Sequence, residues 1–122
     1  MRALIVDDSR FARGYLRVLL EDEGIACAEA ADGRAGLERL KTDAPFDLAL
    51  VDWHMPVMNG LEMLKTLRAE GFGSMKVMMV TTESENDVIL RSLEAGADEF
   101  LMKPFNKAAF TEKLALLGME KS

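Results

Sequence analysis

Four apolar runs of strand length in this sequence each stop at a group that can do chemistry. Residues 3–6 end at Asp7-Asp8, residues 48–51 at Asp52, residues 77–80 at Thr81-Thr82, and residues 100–102 at Lys103-Pro104. The carboxyl ends of buried strands are where open α/β sheets place their ligands. Gathered at one sheet edge, three carboxylates would repel one another, and one or more would be driven toward protonation. A hard divalent cation removes that conflict. Mg2+ takes oxygen ligands in near-octahedral geometry and keeps several waters, so one or two carboxylates and a phosphoryl oxygen suit it. Mn2+ is an alternative with similar ligand taste. With the Lys103 ammonium added, the formal charges of the set cancel, and an anionic phosphoryl group can approach.

Each residue taken alone has a plainer use. Asp52 can accept hydrogen bonds from the loop after it, and Asp8 or Ser9 can cap the helix that follows. Thr81 can be an ordinary β-branched strand residue, Lys103 a solvated loop charge, and Pro104 the first residue of a helix. The conjunction decides, and it holds only if the fold brings the tips together.

The intervening sequence has the pattern needed for that. Strand-sized apolar runs alternate five times with helix-length amphipathic segments. Residues 3–6 lead to a helix expected to bury Phe11, Tyr15, Val18 and Leu19 and to close near Gly24. The weaker run 25–30 precedes a helix carrying Leu37 and Leu40. Residues 48–51 are followed by a loop punctuated by Pro56 and Gly60, then a helix through Leu61, Leu64 and Leu67 that ends near Gly71. Residues 77–80 precede a helix with Ile89 and Leu93, stopped by Gly96, and residues 100–102 one with Phe110, Leu114 and Leu117, capped by Gly118. Strict alternation predicts a parallel sheet with helices on both faces. The first, third and fourth runs are continuously apolar, as central strands buried on both sides should be. The second reads as an edge. The predicted fold is therefore a five-stranded α/β three-layer sandwich of order 2-1-3-4-5, the flavodoxin-like arrangement. In that order the first, third and fourth strands are neighbours, and their tips share one cleft.

Composition narrows the class. The 122 residues are expected to form one domain with no attached output domain, 49% apolar and 30% charged. The apolar runs are too short to span a membrane, and no secretory leader is expected, since residues 1–6 show no basic, long apolar or small-residue cleavage pattern. One cysteine, Cys27, excludes an intrachain disulfide and fits a reducing, cytoplasmic setting. A formal net charge of −6 at pH 7 argues against nucleic-acid binding.

Asp7-Asp8, the segment Asp52-x-x-Met55-Pro56-x-Met58-Asn59-Gly60, Val80-Thr81 and Lys103-Pro104-Phe105 together resemble the receiver domain of bacterial response regulators, most closely the stand-alone CheY-type chemotaxis regulators. The resemblance covers essentially the whole chain in order and spacing. It implies that Asp52 is the phosphoacceptor and that Asp7, Asp8 and Asp52 hold Mg2+ with the backbone carbonyl of His54. It also implies that Thr81 and Lys103 bind phosphoryl oxygens and that the peptide before Pro104 is cis. In such domains Thr81 and the aromatic Phe100 form a switch that alters the fourth helix, fifth strand and fifth helix. His54, Thr82 and Glu83 occupy positions that tune the rate.

The implied chain of events runs from a partner histidine kinase, or a phosphotransfer protein, through Asp52 to a downstream target such as a flagellar-motor switch or a relay component. The chain would act as a monomer or a phosphorylation-dependent dimer, catalysing only its own phosphorylation and slow dephosphorylation. An Asp-nucleophile phosphohydrolase is the competing reading, weakened because His54 rather than a second carboxylate stands two residues after Asp52. A receiver-shaped interaction module that is never phosphorylated fits poorly with an intact set of five site residues. His54 is the one histidine, and imidazole titrates near neutral pH. A His54→Asn variant is therefore expected to flatten the pH dependence of dephosphorylation, followed as decay of the phosphorylated chain. An unchanged profile would reject a role for the ring.

Overall fold

The computed structural model describes residues 1–43, 45–82 and 86–119 and, of Asn86, the backbone alone. Its elements alternate without exception: β1 (Arg2–Val6), α1 (Arg10–Asp22), β2 (Ala26–Ala30), α2 (Gly33–Thr42), β3 (Leu48–Asp52), α3 (Gly60–Ala69), β4 (Lys76–Thr81), α4 (Asn86–Glu94), β5 (Glu99–Met102) and α5 (Lys107–Leu116). All pairings are parallel, in the order β2-β1-β3-β4-β5. The expected architecture is the observed one. No helix among the described residues is long and apolar enough to cross a membrane.

Side-chain alternation along the strands divides the interior into two cores. Ala3 and Ile5 of β1, Leu48 and Leu50 of β3 and Met78 and Val80 of β4 pack with Leu16 and Leu20 of α1 and with Phe110 and Leu114 of α5. Leu4, Val6, Ala49, Val51, Val77 and Met79 face the other way, against Leu37 and Leu40 of α2 and Leu61, Leu64 and Leu67 of α3. Every residue of β3 is buried, as befits the middle of the sheet, whereas β2 at the edge has an exposed Ala26. Registers are level at the carboxyl end: Val6 stands beside Val51, Asp52 beside Val80, and Thr81 beside Met102.

Two helices turn a different face inward from the one their apolar spacing suggests. In α1 the buried residues are Leu16, Leu19 and Leu20, while Phe11 is 85% exposed, Val18 57% and Tyr15 39%. The helix carries two apolar stripes roughly a third of a turn apart, and only the leucine stripe meets the sheet. In α4 the buried positions are Val88 and Ser92, with Leu93 exposed. The Ser92 hydroxyl donates to the Val88 carbonyl at 2.9 Å, so a polar residue sits in the apolar face at no hydrogen-bonding cost.

The loop from Asp52 to α3 is closed tightly. Gly60 N–H donates to the Trp53 carbonyl at 2.9 Å, and Asn59 and Glu62 form a reciprocal capping box on α3. A Cβ on Gly60 would lie 2.3 Å from the Asp52 carbonyl oxygen and 2.9 Å from Trp53 Cα, both backbone atoms that cannot step aside. At Gly14, mid-way along α1, a Cβ would meet nothing within 4 Å. Gly14→Ala should therefore stabilise the fold by about 0.5–1 kcal/mol, and Gly60→Ala should destabilise it by about 1–3 kcal/mol. Urea denaturation of the two variants checks both signs.

Candidate functional site

The pleat itself aims the site. Asp7 follows Ile5 by two residues, Asp52 follows Leu50 by two, and Lys103 follows Leu101 by two, and all three predecessors face the α1/α5 core. Continuing that parity puts the three polar side chains on one side of the sheet edge. There the Lys103 ammonium lies 3.0 Å from Asp7 Oδ2 and 3.7 Å from Asp52 Oδ1. Thr81 has the opposite parity, following Met79, and sits one position beyond the Val80 that pairs with Asp52.

The turn after β1 is held from several directions. The Asp7 N–H donates to the Ala30 carbonyl at 3.2 Å, and Asp7 Oδ1 accepts from Ser9 N–H at 2.9 Å. Ser9, not Asp8, caps α1, its hydroxyl accepting from Ala12 N–H at 3.2 Å. Asp8 is left exposed at the mouth of the cleft while Asp7 is 1% and Asp52 7% exposed. Carboxylate oxygens of Asp7, Asp8 and Asp52 lie within 4.8 Å of one another. That spacing fits a single hard cation, and the donor set is all oxygen, the kind Mg2+ takes.

Electrostatics give the same reading. Burial, and after it the charge of Asp7, push the Asp52 carboxyl up to about 6, with Asp8 adding to the effect. Lys103 and a hydrogen bond from the His54 backbone N–H pull the other way without cancelling it. A negative charge on Asp52 is thus resisted by its surroundings.

The remaining expected positions fall around this centre. His54 is exposed on the rim of an open cleft of about 460 Å3 shared with Asp8, Met55, Pro56 and Asn59. Thr82 is exposed at the edge of a second, apolar depression of about 420 Å3 between α1 and the Lys103-Pro104-Phe105 turn. Glu83 lies outside the described residues. The Lys103-Pro104 peptide is cis, as the resemblance implied. Trp53 is buried beside Asp52, with the Arg91 guanidinium 6.0 Å from its ring. Phe100 is half-buried on β5, with Lys113 Nζ 4.6 Å above its ring and paired to Glu99 at 3.1 Å. Two features were not expected from the sequence. One is the exposure of the Phe11–Tyr15–Val18 stripe, expected in the core, beside the second depression. The other is Arg13, whose side chain reaches the backbone of Asp7.

Comparison with known proteins agrees with this geometry. The family model described as the response regulator receiver domain matches residues 3–115. Chemotaxis protein CheY-3 of Vibrio cholerae is 39% identical over 116 residues, which span 93% of this chain and 88% of that protein. The crystallised chemotaxis protein CheY4 of Vibrio cholerae matches in structure with a TM-score of 0.87 at 34% identity, over 93% of this chain and 95% of that one. The response regulator TrrA of Thermotoga maritima, solved in complex with Mg(2+)-BeF, matches with a TM-score of 0.83 at 31% identity, over 95% and 97% of the two chains. The chain belongs to the response regulator receiver domains, of the CheY type, and so to two-component signalling.

The raised Asp52 carboxyl makes metal-free stability depend on pH in a definite direction. Unfolded, this group titrates near its ordinary 3.8; folded, near 6. Below both values it is protonated in either state and has no effect. As pH rises through that window the folded state acquires a charge it resists, so stability falls, by up to about 3 kcal/mol. Without metal, Asp52→Asn should melt above the parent chain at neutral pH, with the gap closing toward pH 4. Thermal melts across pH, with and without Mg2+, measure the difference.

Proposed function

We propose that Asp52 receives a phosphoryl group from a phosphohistidine on a partner kinase or phosphotransfer protein, and that the modified chain then binds a downstream target. The observation that carries this reading is the Lys103 ammonium held between the buried Asp7 and Asp52, with the exposed Asp8 near enough for all three carboxylates to share one ion. A carboxylate oxygen of Asp52 attacks phosphorus in line with the imidazole nitrogen; the P–N bond breaks and the histidine leaves. Lys103, released from Asp7, pairs with one phosphoryl oxygen, and the Thr81 hydroxyl donates to another. Asp7, Asp8, Asp52 and the His54 backbone carbonyl would hold Mg2+. When bound, the ion neutralises the carboxylates and the phosphoryl oxygens, so catalysis is positioning and charge compensation. Water later cleaves the acyl phosphate slowly and resets the chain.

The output follows from the same contacts. Moving a population from 1:99 to 99:1 takes about 5.5 kcal/mol. One to three new charge-assisted bonds, at about 1.5–3 kcal/mol each, are of that order. Drawing Thr81 toward the phosphoryl group frees room for Phe100 to turn inward, and Phe100 has no hydroxyl to strand in doing so. The surface altered comprises α4, β5 and α5, where Leu90, Leu93 and Leu116 are exposed and available to a target. His54, Thr82 and Glu83 would set how readily donors and water reach the acyl phosphate.

The donor needs its own foothold near the cleft. Phe11, Tyr15 and Val18 give α1 an exposed apolar stripe, and the depression beside it is walled by Phe105 and reaches Lys103. An amphipathic helix carrying the phosphohistidine could lie along that stripe with its imidazole over Asp52. A hydrolase acting on small phosphate esters is less well supported, since His54 stands where such an enzyme needs an acid/base carboxylate.

Two variants separate the chemistry from the docking. Asp52→Asn should abolish labelling by acetyl phosphate with Mg2+ and by a partner kinase alike. The double change Phe11→Ser with Val18→Ser should slow transfer from the kinase at least tenfold and leave the acetyl phosphate rate within about twofold. Persistent labelling of Asp52→Asn at the same site would refute the acceptor assignment. Equal slowing by both donors would refute the docking face.

A further inference from the structure

The acidic turn after β1 is fastened by a residue that touches none of the expected ligand atoms. Asp7 is the first residue past β1, so its carbonyl has left the strand ladder and needs a donor elsewhere. Arg13, one turn into α1, supplies it: Nη1 donates to the Asp7 carbonyl oxygen at 2.6 Å. The same guanidinium donates through Nε to Glu29 Oε1 at 3.1 Å, and Arg17 Nε donates to Glu29 Oε2 at 2.7 Å. The Arg13 side chain is 15% exposed. Glu29 sits on β2 next to Ala30, the residue whose carbonyl accepts the Asp7 N–H. Desolvation raises the Glu29 carboxyl, but its bonds to Arg17 and Arg13 outweigh that and hold it below its ordinary value. The fork is therefore aligned from behind by a carboxylate that stays ionised.

The consequence is geometric. The Asp7 carbonyl belongs to the peptide joining Asp7 to Asp8. Fixing that oxygen fixes the plane of the peptide, and with it the position from which the Asp8 side chain leaves the backbone. Asp7 is also held through both carboxylate oxygens, by Ser9 N–H and by Lys103. The exposed Asp8 depends more heavily on its backbone for placement.

We infer that Arg13 is a positioning residue for the metal centre: by clamping the Asp7–Asp8 peptide against Glu29 it places the Asp8 carboxylate within reach of the cation that Asp7 and Asp52 share. The inference rests on the proposed Mg2+ site. It also carries a sign that simple charge effects do not. Arg13 is a cation near a cation site, so on electrostatics alone its removal would tighten Mg2+ binding. Loss of positioning weakens it, and removal of a residue that orients metal ligands typically costs 10–100-fold in affinity.

The test is Mg2+ affinity by isothermal titration calorimetry, with thermal melts of the same samples, for the parent chain, Arg13→Met, Arg17→Met and Asp8→Asn. Arg17→Met removes a Glu29 partner of similar strength but no bond to the acidic turn. The expected result is Mg2+ binding at least tenfold weaker in Arg13→Met and within about threefold of the parent in Arg17→Met, whatever their relative melting temperatures. Unchanged or tighter binding in a folded Arg13→Met overturns the inference, as does equal weakening in both arginine variants. Asp8→Asn keeps the two failures apart. If it weakens binding while Arg13→Met does not, the metal site stands and the role of Arg13 falls. If Asp8→Asn binds as the parent does, the metal reading falls and the inference with it.

Discussion

Like charge confined to a small, partly buried volume is the constraint on which this molecule turns. Asp7 and Asp52 are almost wholly buried, Asp8 is close by, and the Lys103 ammonium bound between the first two offsets a single charge. The consequence is visible in Asp52, which is driven well above the usual carboxylate range. Such a site resists its own ionised form and is relieved by added positive charge. A divalent cation would supply that charge, and under the proposed function a phosphoryl group would then redistribute it. On that reading, instability in the resting centre and responsiveness to phosphorylation have a common cause.

The rest of the fold keeps that constraint in place. Parallel strands of level register deliver their tips to one edge, and the two-residue period of the pleat sets which tips share a side. Two cores, one on each face of β3, bury the central strand along its whole length up to Asp52. Gly60 lets the loop after Asp52 fold back against the backbone of Trp53. On the opposite flank the Arg68 guanidinium donates to the carbonyls of Phe72, Met75 and Gly96 and pairs with Asp98, pinning the entries to β4 and β5. Exposed apolar side chains remain on α1 (Phe11, Tyr15, Val18), α4 (Leu90, Leu93) and α5 (Leu116), and in the loop after Asp52 at Val57.

Much of this was legible in the sequence because strands of a parallel sheet announce themselves as apolar runs and end abruptly. The runs at 3–6, 48–51 and 77–80 gave strand order, and the polar residue after each gave the cleft. Helix faces were harder to read. α1 has two apolar stripes, and nothing local says that Leu16, Leu19 and Leu20 meet the sheet while Phe11 and Val18 do not; the choice is made by tertiary packing. In α4 a buried Ser92, satisfied by its own helix, disguises the inward face. Arg13 was invisible for a different reason. Its partners are a backbone carbonyl and Glu29 on another strand, and contacts of that kind leave no periodicity behind.

The account is tested most directly by chemical trapping of the phosphorylated residue. The chain is incubated with acetyl phosphate in the presence or absence of Mg2+, reduced with borohydride to convert any aspartyl phosphate to homoserine, and sequenced by mass spectrometry. Conversion of Asp52 alone, lost when Mg2+ is chelated, is the predicted result. Conversion at another carboxylate, or at Asp52 to the same extent without the metal, would contradict it.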